Sequence, residues 1–127
     1  MAKRVLNVGQ CSFDHAAISR MITRSFQAEV LEADDAQQTL KALKQEKFDL
    51  VLVNRKLDKD YSDGLDIIKQ IKSDPQLAGT PCMLVTNYAE HQQLAIAAGA
   101  EPGFGKMQYG EPETIERLKR FIGEQQS

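Results

Sequence analysis

The sequence predicts an α/β protein in three α/β/α layers, with a doubly wound parallel sheet of five strands flanked by five helices. The first reason is that short β-rich apolar runs alternate with longer stretches of helical period. The second is that residues 50–53, LVLV, form a continuous apolar run, as expected of a strand that is buried on both faces. The length of 127 residues fits one domain, so we expect a single domain over residues 1–127.

The first half of the chain predicts two strands, each followed by a helix. The first strand covers residues 4–8, and Ser12 can then cap a helix. The apolar face of this helix comprises Ile18, Met21, Ile22 and Phe26. The second strand covers residues 29–33, and Asp34 or Asp35 can cap the helix after it. That helix directs two leucines inward, Leu40 and Leu43.

The third and fourth strands continue the alternation. The strand at residues 50–53 ends at Asn54, and a polar loop leads to a third helix. Its apolar residues are Leu65, Ile68 and Ile71. Pro81 precedes a fourth strand at residues 82–86, and a helix of small residues follows at 89–98.

The fifth strand, at residues 103–106, is predicted to be weak. Two of its four residues are glycine, which brings no side chain to pack. Pro112 suits the first turn of a fifth helix. The inner face of this helix comprises Ile115, Leu118 and Ile122.

Composition limits the functions that the chain can have. Sixteen Lys and Arg stand against eighteen Asp and Glu, for a net charge of −2, and no segment concentrates basic residues. We therefore expect no direct contact with nucleic acid. The apolar runs are strand-sized, so we expect no membrane segment and a cytoplasmic location. Cys11 and Cys82 form no C-x-x-C pair, which favours reduced thiols.

In sheets of this kind, ligands bind at the carboxyl ends of the strands. The rule selects residues that end the predicted strands or follow them directly. These candidate site residues are Gly9, Gln10, Cys11, Asn54, Arg55, Thr86, Asn87 and Lys106. His15 and His91 lie on the same edge as Cys11, but their spacing indicates no metal site.

Several of these segments together resemble the receiver domains of bacterial two-component response regulators, over about residues 3–125. The matching segments are RVLNV at 4–8, FDLVLVN at 48–54, DGLDIIKQIKSDP at 63–75, PCMLVT at 81–86 and AGAEPGFGK at 98–106. The resemblance implies a flavodoxin-like sheet in the order 2-1-3-4-5. It also implies a signalling role in a phosphorelay without enzymatic activity.

The residues that carry the chemistry of that family are missing. The resemblance places the phosphoacceptor aspartate at Asn54 and the metal-binding acidic pair at Gly9 and Gln10, and Cys11 offers no replacement carboxylate. Magnesium is usually held through carboxylates, and only the charge of Lys106 remains at the aligned positions. We therefore expect an excess charge of +1 in the pocket, no magnesium binding and no other metal.

The elements that relay the signal in the family also differ. The family's switch aromatic aligns with Gly103, so this switch position is lost, and Phe104 should face the opposite side of the sheet. Met107 stands where the family has proline after the lysine, so we expect a trans peptide there. The loop between Asn54 and Gly64 is about two residues longer than usual in the family.

These observations favour a pseudo-receiver that acts by protein–protein contact without phosphorylation. The resemblance implies that a protein partner binds the face formed by the fourth helix, fifth strand and fifth helix, and a homodimer is one form of that contact. Two alternatives stay open. One is a phosphorylatable receiver with an unconventional acceptor such as Asp58. The other is a sensor that binds an anion or metabolite in the former pocket, with Lys106, Thr86, Gln10 and the backbone as donors.

Overall fold

Five parallel strands form one central sheet in the computed structural model, which describes residues 2–123. The strands are β1 (Lys3–Val8), β2 (Ala28–Ala33), β3 (Leu50–Asn54), β4 (Cys82–Val85) and β5 (Glu101–Phe104). The helices are α1 (Ser12–Ser25), α2 (Ala36–Gln45), α3 (Gly64–Ser73), α4 (Ala89–Ala97) and α5 (Pro112–Ile122). The spatial order β2-β1-β3-β4-β5 confirms the predicted topology.

Apolar side chains fill both faces of the sheet because successive residues of a strand point to opposite sides. On β1, Leu6 and Val8 pack in the layer beneath α2, α3 and α4. Val5 packs in the other layer, beneath α1 and α5. All five residues of β3 are buried, as the apolar run at its centre predicts. The predicted three-layer arrangement is therefore confirmed.

The predicted position of the fifth strand is wrong. Strand β5 is formed by Glu101–Phe104, and Lys106 lies beyond it in a 3-10 turn, Lys106–Gln108. Pro102 lacks an amide hydrogen, but an edge strand tolerates proline because one of its sides needs no partner. The strand ends at Phe104, and Gly105 connects it to the 3-10 turn.

The cap of α1 also differs from the prediction. Cys11, not Ser12, is the N-cap, and its sulfur accepts a hydrogen bond from the backbone nitrogen of Asp14 at 3.4 Å. Cys11 has the extended backbone that a cap requires, whereas Ser12 is already helical. In α2 the predicted cap Asp35 is confirmed, because its carboxylate accepts from the backbone nitrogen of Gln38 at 2.9 Å.

Within residues 2–123, none of the helices combines the length and the apolar character that a membrane span requires.

Candidate functional site

A cavity of about 360 Å³ lies at the carboxyl edge of the sheet, between the loops that follow its strands. Six of the eight predicted site residues line it, namely Cys11, Asn54, Arg55, Thr86, Asn87 and Lys106. Gly9 and Gln10 do not line it, and both are buried. The fold therefore brings most of the predicted site together around one cavity.

The Asn54 side chain acts as a hydrogen-bond donor at the end of β3. Its amide nitrogen donates to the backbone carbonyl oxygens of Gly9, at 3.2 Å, and Lys56, at 2.7 Å. Because both partners are acceptors, the NH₂ group of the amide must face them. A carboxylate is an acceptor only, so an ionised aspartate could not make either bond.

Gly9 and Leu57 close the space beside Asn54. Gly9 has a φ angle of +73°, a left-handed backbone conformation that most residues other than glycine rarely adopt. A Cβ atom at this position would lie 2.3 Å from the Cδ2 atom of Leu57. Leu57 is 2% exposed and comes from the loop after β3, whose Asp58 nitrogen donates to the Gly9 carbonyl at 2.9 Å. A side chain at position 9 would therefore require Leu57 to move out of the space that it occupies beside Asn54.

Lys106 is not the unpaired charge that the sequence predicts. Its ammonium nitrogen lies 2.9 Å from Oδ2 of Asp14, and the Asp14 side chain is 11% exposed. The thiol of Cys11 donates to the same carboxylate oxygen at 3.2 Å, and the hydroxyl of Tyr109 donates to the other at 3.3 Å. Asp14, in the first turn of α1, therefore pairs with the one charge that the aligned positions retain, a contact that the sequence prediction did not include.

This network shifts the pKa values of its members. Burial opposes the ionisation of Asp14, but the hydrogen bonds from Lys106, Cys11 and Tyr109, together with the charge of Lys106, hold its pKa below the ordinary value of 3.8. Burial, followed by the negative charge of Asp14, raises the pKa of Tyr109 well above its ordinary value of 10.0. At neutral pH Asp14 is thus ionised and Tyr109 is a neutral donor.

Thr86 and Asn87 organise the loop between β4 and α4. The Thr86 hydroxyl accepts from the backbone nitrogen of Tyr88 at 3.3 Å and lies 3.5 Å from Nδ1 of His91. The side-chain oxygen of Asn87 accepts from the backbone nitrogen of Met107 at 3.2 Å. Thr86 therefore stabilises its own loop, and Asn87 joins that loop to the turn after β5.

The structure assigns opposite faces of β5 to Gly103 and Phe104, as predicted. Phe104 is 1% exposed and packs in the layer beneath α1 and α5. Beside Gly103, on the other side, lies the amide of Gln92 from α4, whose oxygen accepts from the Gly103 nitrogen at 2.9 Å. The peptide between Lys106 and Met107 is trans, since residues 2–123 contain no cis bond.

The acidic residues of the loop after β3 do not pair with Lys106. Asp58 lines the cavity and is exposed, whereas the carboxylate of Asp60 accepts from the backbone nitrogen and hydroxyl of Ser62. Lys59 of the same loop pairs with Asp35 at 2.7 Å. Of these loop carboxylates, Asp58 is the one that faces the cavity.

The residues at this edge do not fit a magnesium ion. Mg²⁺ requires hard oxygen ligands and is usually bound through one or two carboxylates. Position 9 is closed by Leu57, and the amide of Asn54 directs its hydrogens at Gly9 and Lys56. The nearby carboxylate of Asp14 is already engaged by a cation and two further donors. Within residues 2–123, no group of three or more His, Cys, Asp or Glu side chains is placed to hold a metal.

Sequence reasoning missed three residues that shape this site and its border. Asp14 follows the cap residue Cys11 by three positions, and an acidic residue in the first turn of the helix at a strand end was an available signal. Leu57 is the one apolar residue in the segment RKLDKD, which was also a signal of burial. No sequence pattern predicts the contact between Gln92 and Gly103.

Comparison with known proteins agrees with this fold. The response regulator receiver domain family matches residues 13–107. The chemotaxis protein CheY-3 of Vibrio cholerae serotype O1 is 33% identical over 69 residues, which is 54% of this chain and 52% of that protein. The alignment thus spans about half the length of this curated relative.

Solved structures show the same fold at lower sequence identity. A protein from Chloroflexus aurantiacus J-10-fl, described as a response regulator, superposes with a TM-score of 0.84 and 17% identity, over 98% of this chain and all of that one. The chemotaxis response regulator CheY4 of Vibrio cholerae superposes with a TM-score of 0.75 and 22% identity, over 96% of this chain and all of that one. Both matches support the flavodoxin-like sheet order.

Proposed function

This chain belongs to the response regulator receiver domain family of two-component signalling, and we propose that it acts there by protein–protein contact without being phosphorylated. In this proposal the domain is not an enzyme, binds no magnesium and uses no cofactor. The free thiols of Cys11 and Cys82 support a reducing compartment, for which we propose the cytoplasm.

The observation that carries the proposal is the donor role of Asn54. Its amide holds the Gly9 and Lys56 carbonyls together, and a nucleophilic carboxylate at this position would face two carbonyl dipoles of the same sign. An amide is also a poor nucleophile, because the nitrogen lone pair is delocalised into the carbonyl group. The position that should accept the phosphoryl group is therefore used for a structural contact.

The pairing of Lys106 with Asp14 supports the same proposal. The charge of an ammonium group that already neutralises a carboxylate at 2.9 Å offers less net attraction to an incoming phosphoryl group. The same pairing weakens the anion-sensor alternative, in which Lys106 is one donor beside Thr86, Gln10 and the backbone. The exposed carboxylate of Asp58 is the feature that keeps the unconventional-acceptor alternative testable.

For the partner, we propose binding at the face formed by α4, β5 and α5. Ile96 is 39% exposed on α4, and Met107 in the turn before α5 is 84% exposed. A homodimer through this face is one form of the contact, with no direct role for nucleic acid or a membrane. Sedimentation of the wild type and Ile96→Lys over a range of concentrations tests the dimer, which the charged variant should weaken.

Phosphodonor treatment followed by intact-mass measurement tests the absence of phosphorylation. The chain is incubated with acetyl phosphate and Mg²⁺, and we expect no species that carries an added phosphoryl group. A gain of one phosphoryl group that Asp58→Asn abolishes would instead establish the unconventional acceptor. A melting temperature that rises with the concentration of inorganic phosphate and saturates would favour the anion sensor.

A further inference from the structure

Helix α4 has little apolar contact with the rest of the protein. Ala95 is its one buried residue, and its two larger apolar side chains, Leu94 and Ile96, are 55% and 39% exposed. The N-cap residue, Tyr88, makes no side-chain capping bond. In most proteins the packing of an apolar face supplies most of the stability of a helix, and α4 buries a single methyl group in this way.

A polar contact through Gln92 compensates for this weak packing. The side-chain nitrogen of Gln92 donates to the Leu84 carbonyl at 2.8 Å, and its side-chain oxygen accepts from the Gly103 nitrogen at 2.9 Å. A single amide thus joins α4 to both β4 and β5. We call this three-residue contact the Gln92 bridge.

The Gln92 bridge lies where the ladder between β4 and β5 is interrupted. Met83 pairs with Glu101 and Val85 pairs with Phe104, so two residues of β5 stand opposite the single residue Leu84. One of these two is proline, which has no hydrogen to donate. The Gln92 amide therefore donates to the Leu84 carbonyl and accepts from the Gly103 nitrogen, two backbone groups that the interrupted ladder does not pair.

Gly103 makes the room that the bridge needs. A Cβ atom at position 103 would lie 2.2 Å from the Leu84 oxygen and 3.2 Å from both polar atoms of the Gln92 amide. The Gly103 carbonyl is in turn bound by the guanidinium of Arg117 from α5. Gly103 thus has both backbone polar groups engaged by side chains of the two flanking helices.

We propose that the Gln92 bridge is the latch that sets the position of α4, so that α4 leaves the sheet edge as a unit when this one amide is released. The role of such a latch in signalling rests on the proposed function, because α4 belongs to the proposed partner face. A partner that engages Ile96 would then act on a helix that is held to the sheet mainly by the Gln92 side chain and the packing of Ala95. The latch itself is a property of the isolated chain.

Amide hydrogen exchange of Gln92→Ala tests the latch, with Gln93→Ala as the matched control. Gln93 is the exposed neighbour on the same helix, and alanine favours helix more than glutamine does, so a loss of helix propensity cannot cause the effect. We expect the amides of Gly103 and of α4 to exchange about tenfold faster or more in Gln92→Ala, with α1 and α2 unchanged. In Gln93→Ala, exchange should match the wild type.

Gly103→Ala perturbs the Gln92 bridge from β5. Gly79→Ala is its control, because no atom lies within 4 Å of a Cβ atom at position 79. The added methyl group would clash with the Leu84 carbonyl oxygen, which accepts from Gln92, and would crowd the Gln92 amide, so exchange in α4 should again accelerate. Equal exchange in Gln92→Ala and Gln93→Ala, or unchanged α4 protection in folded Gly103→Ala, would overturn the latch. If Gln92→Ala does not fold, Gln92→Glu replaces it, since its carboxylate retains the acceptor and loses the donor.

These measurements use the chain without phosphodonor, Mg²⁺ or partner. Failure of the latch would therefore leave the proposal of phosphorylation-independent contact unaffected. A phosphorylated chain could equally well possess the latch.

Discussion

At the residue scale, the Asn54 amide makes a structural contact at the position where we propose that the phosphoacceptor is lost. The two carbonyl groups it binds belong to the loops after β1 and β3, so it joins the two loops that would have to hold a metal. In an Asn54→Asp variant, a carboxylate oxygen would replace the amide nitrogen and would repel the carbonyl oxygens of Gly9 and Lys56. Restoring aspartate at this position is therefore not a simple restoration of function.

Asn54→Asp should lower the free energy of unfolding by about 1 to 3 kcal/mol at neutral pH, because it leaves two acceptors without a donor and a charge that is poorly solvated. The pKa of the new carboxyl should be raised, so the destabilisation should diminish as the pH falls and the carboxyl becomes a donor. Urea unfolding at several pH values measures both effects. Gln70→Glu adds the same charge at an exposed site and should change stability little; an equally stable Asn54→Asp would contradict the donor role.

Asp14 is the second residue that decides the electrostatics of the cleft. It is nearly buried and ionised, and three donors from Cys11, Lys106 and Tyr109 surround it. Since its pKa is lowered in the folded chain, its contribution to stability is fully present above the ordinary value of 3.8 and is lost as the pH falls through the folded-state pKa.

Asp14→Asn should reduce the free energy of unfolding by about 1 to 2 kcal/mol at pH 7, because the variant leaves Lys106 without its counterion. The difference from wild type should be constant down to about pH 5 and should shrink below about pH 4. A double-mutant cycle with Lys106→Met isolates the pair. A coupling energy near zero at pH 7, or a difference that persists unchanged at low pH, would contradict the assigned network.

At the scale of elements, the sequence predicted most of the fold because its helices and strands differ clearly in period. The apolar run of β3 and the apolar stripes of α1 and α5 are local signals, and most of their residues are buried as predicted. Phe26 instead caps the end of α1, and Ile115 is only partly buried. Strand β5 was misplaced because its start contains Pro102, and the tolerance of proline depends on a position at the sheet edge. Neighbouring residues in the sequence do not carry that information.

Much of the site could not be predicted for the same reason. The loss of carboxylates at positions 9, 10 and 54 is visible in the sequence. The pairing of Lys106 with Asp14 joins residues 92 positions apart in the chain, and the contact between Leu57 and Gly9 depends on the path of a loop. Side-chain partners of this kind depend on tertiary structure, which hydrophobic periodicity and secondary-structure propensity do not predict.

Strand β4 provides a thiol that reports on the integrity of the core. Cys82 is 0% exposed, and burial raises its pKa to about 11, whereas Cys11 is partly exposed at the start of α1. In a native-state labelling experiment with an alkylating thiol reagent, we expect Cys11 to react first and Cys82 to react at the rate of unfolding. Cys11→Ser isolates the signal of Cys82, and rapid labelling of Cys82 in the native state would contradict its placement.

At the scale of the whole molecule, the chain keeps the scaffold of the family, and in our proposal the carboxyl edge of its sheet no longer holds a metal. The sheet order and the three layers match the solved receivers, yet the carboxyl edge holds an amide, a leucine and an internal ion pair. Each of these occupies groups or space that a magnesium ion would need. The central claim of the proposal is that Asn54, Leu57 and the pair of Lys106 with Asp14 leave no set of oxygen ligands for a magnesium ion.

A titration with Mg²⁺, followed through the backbone amide chemical shifts of Gly9, Asn54 and Lys106, tests this claim most directly. In this proposal the ion finds no set of oxygen ligands, so we expect no saturable shift at these amides, only the small uniform changes that ionic strength causes elsewhere. Saturable shifts confined to these three residues and their neighbours would contradict the account.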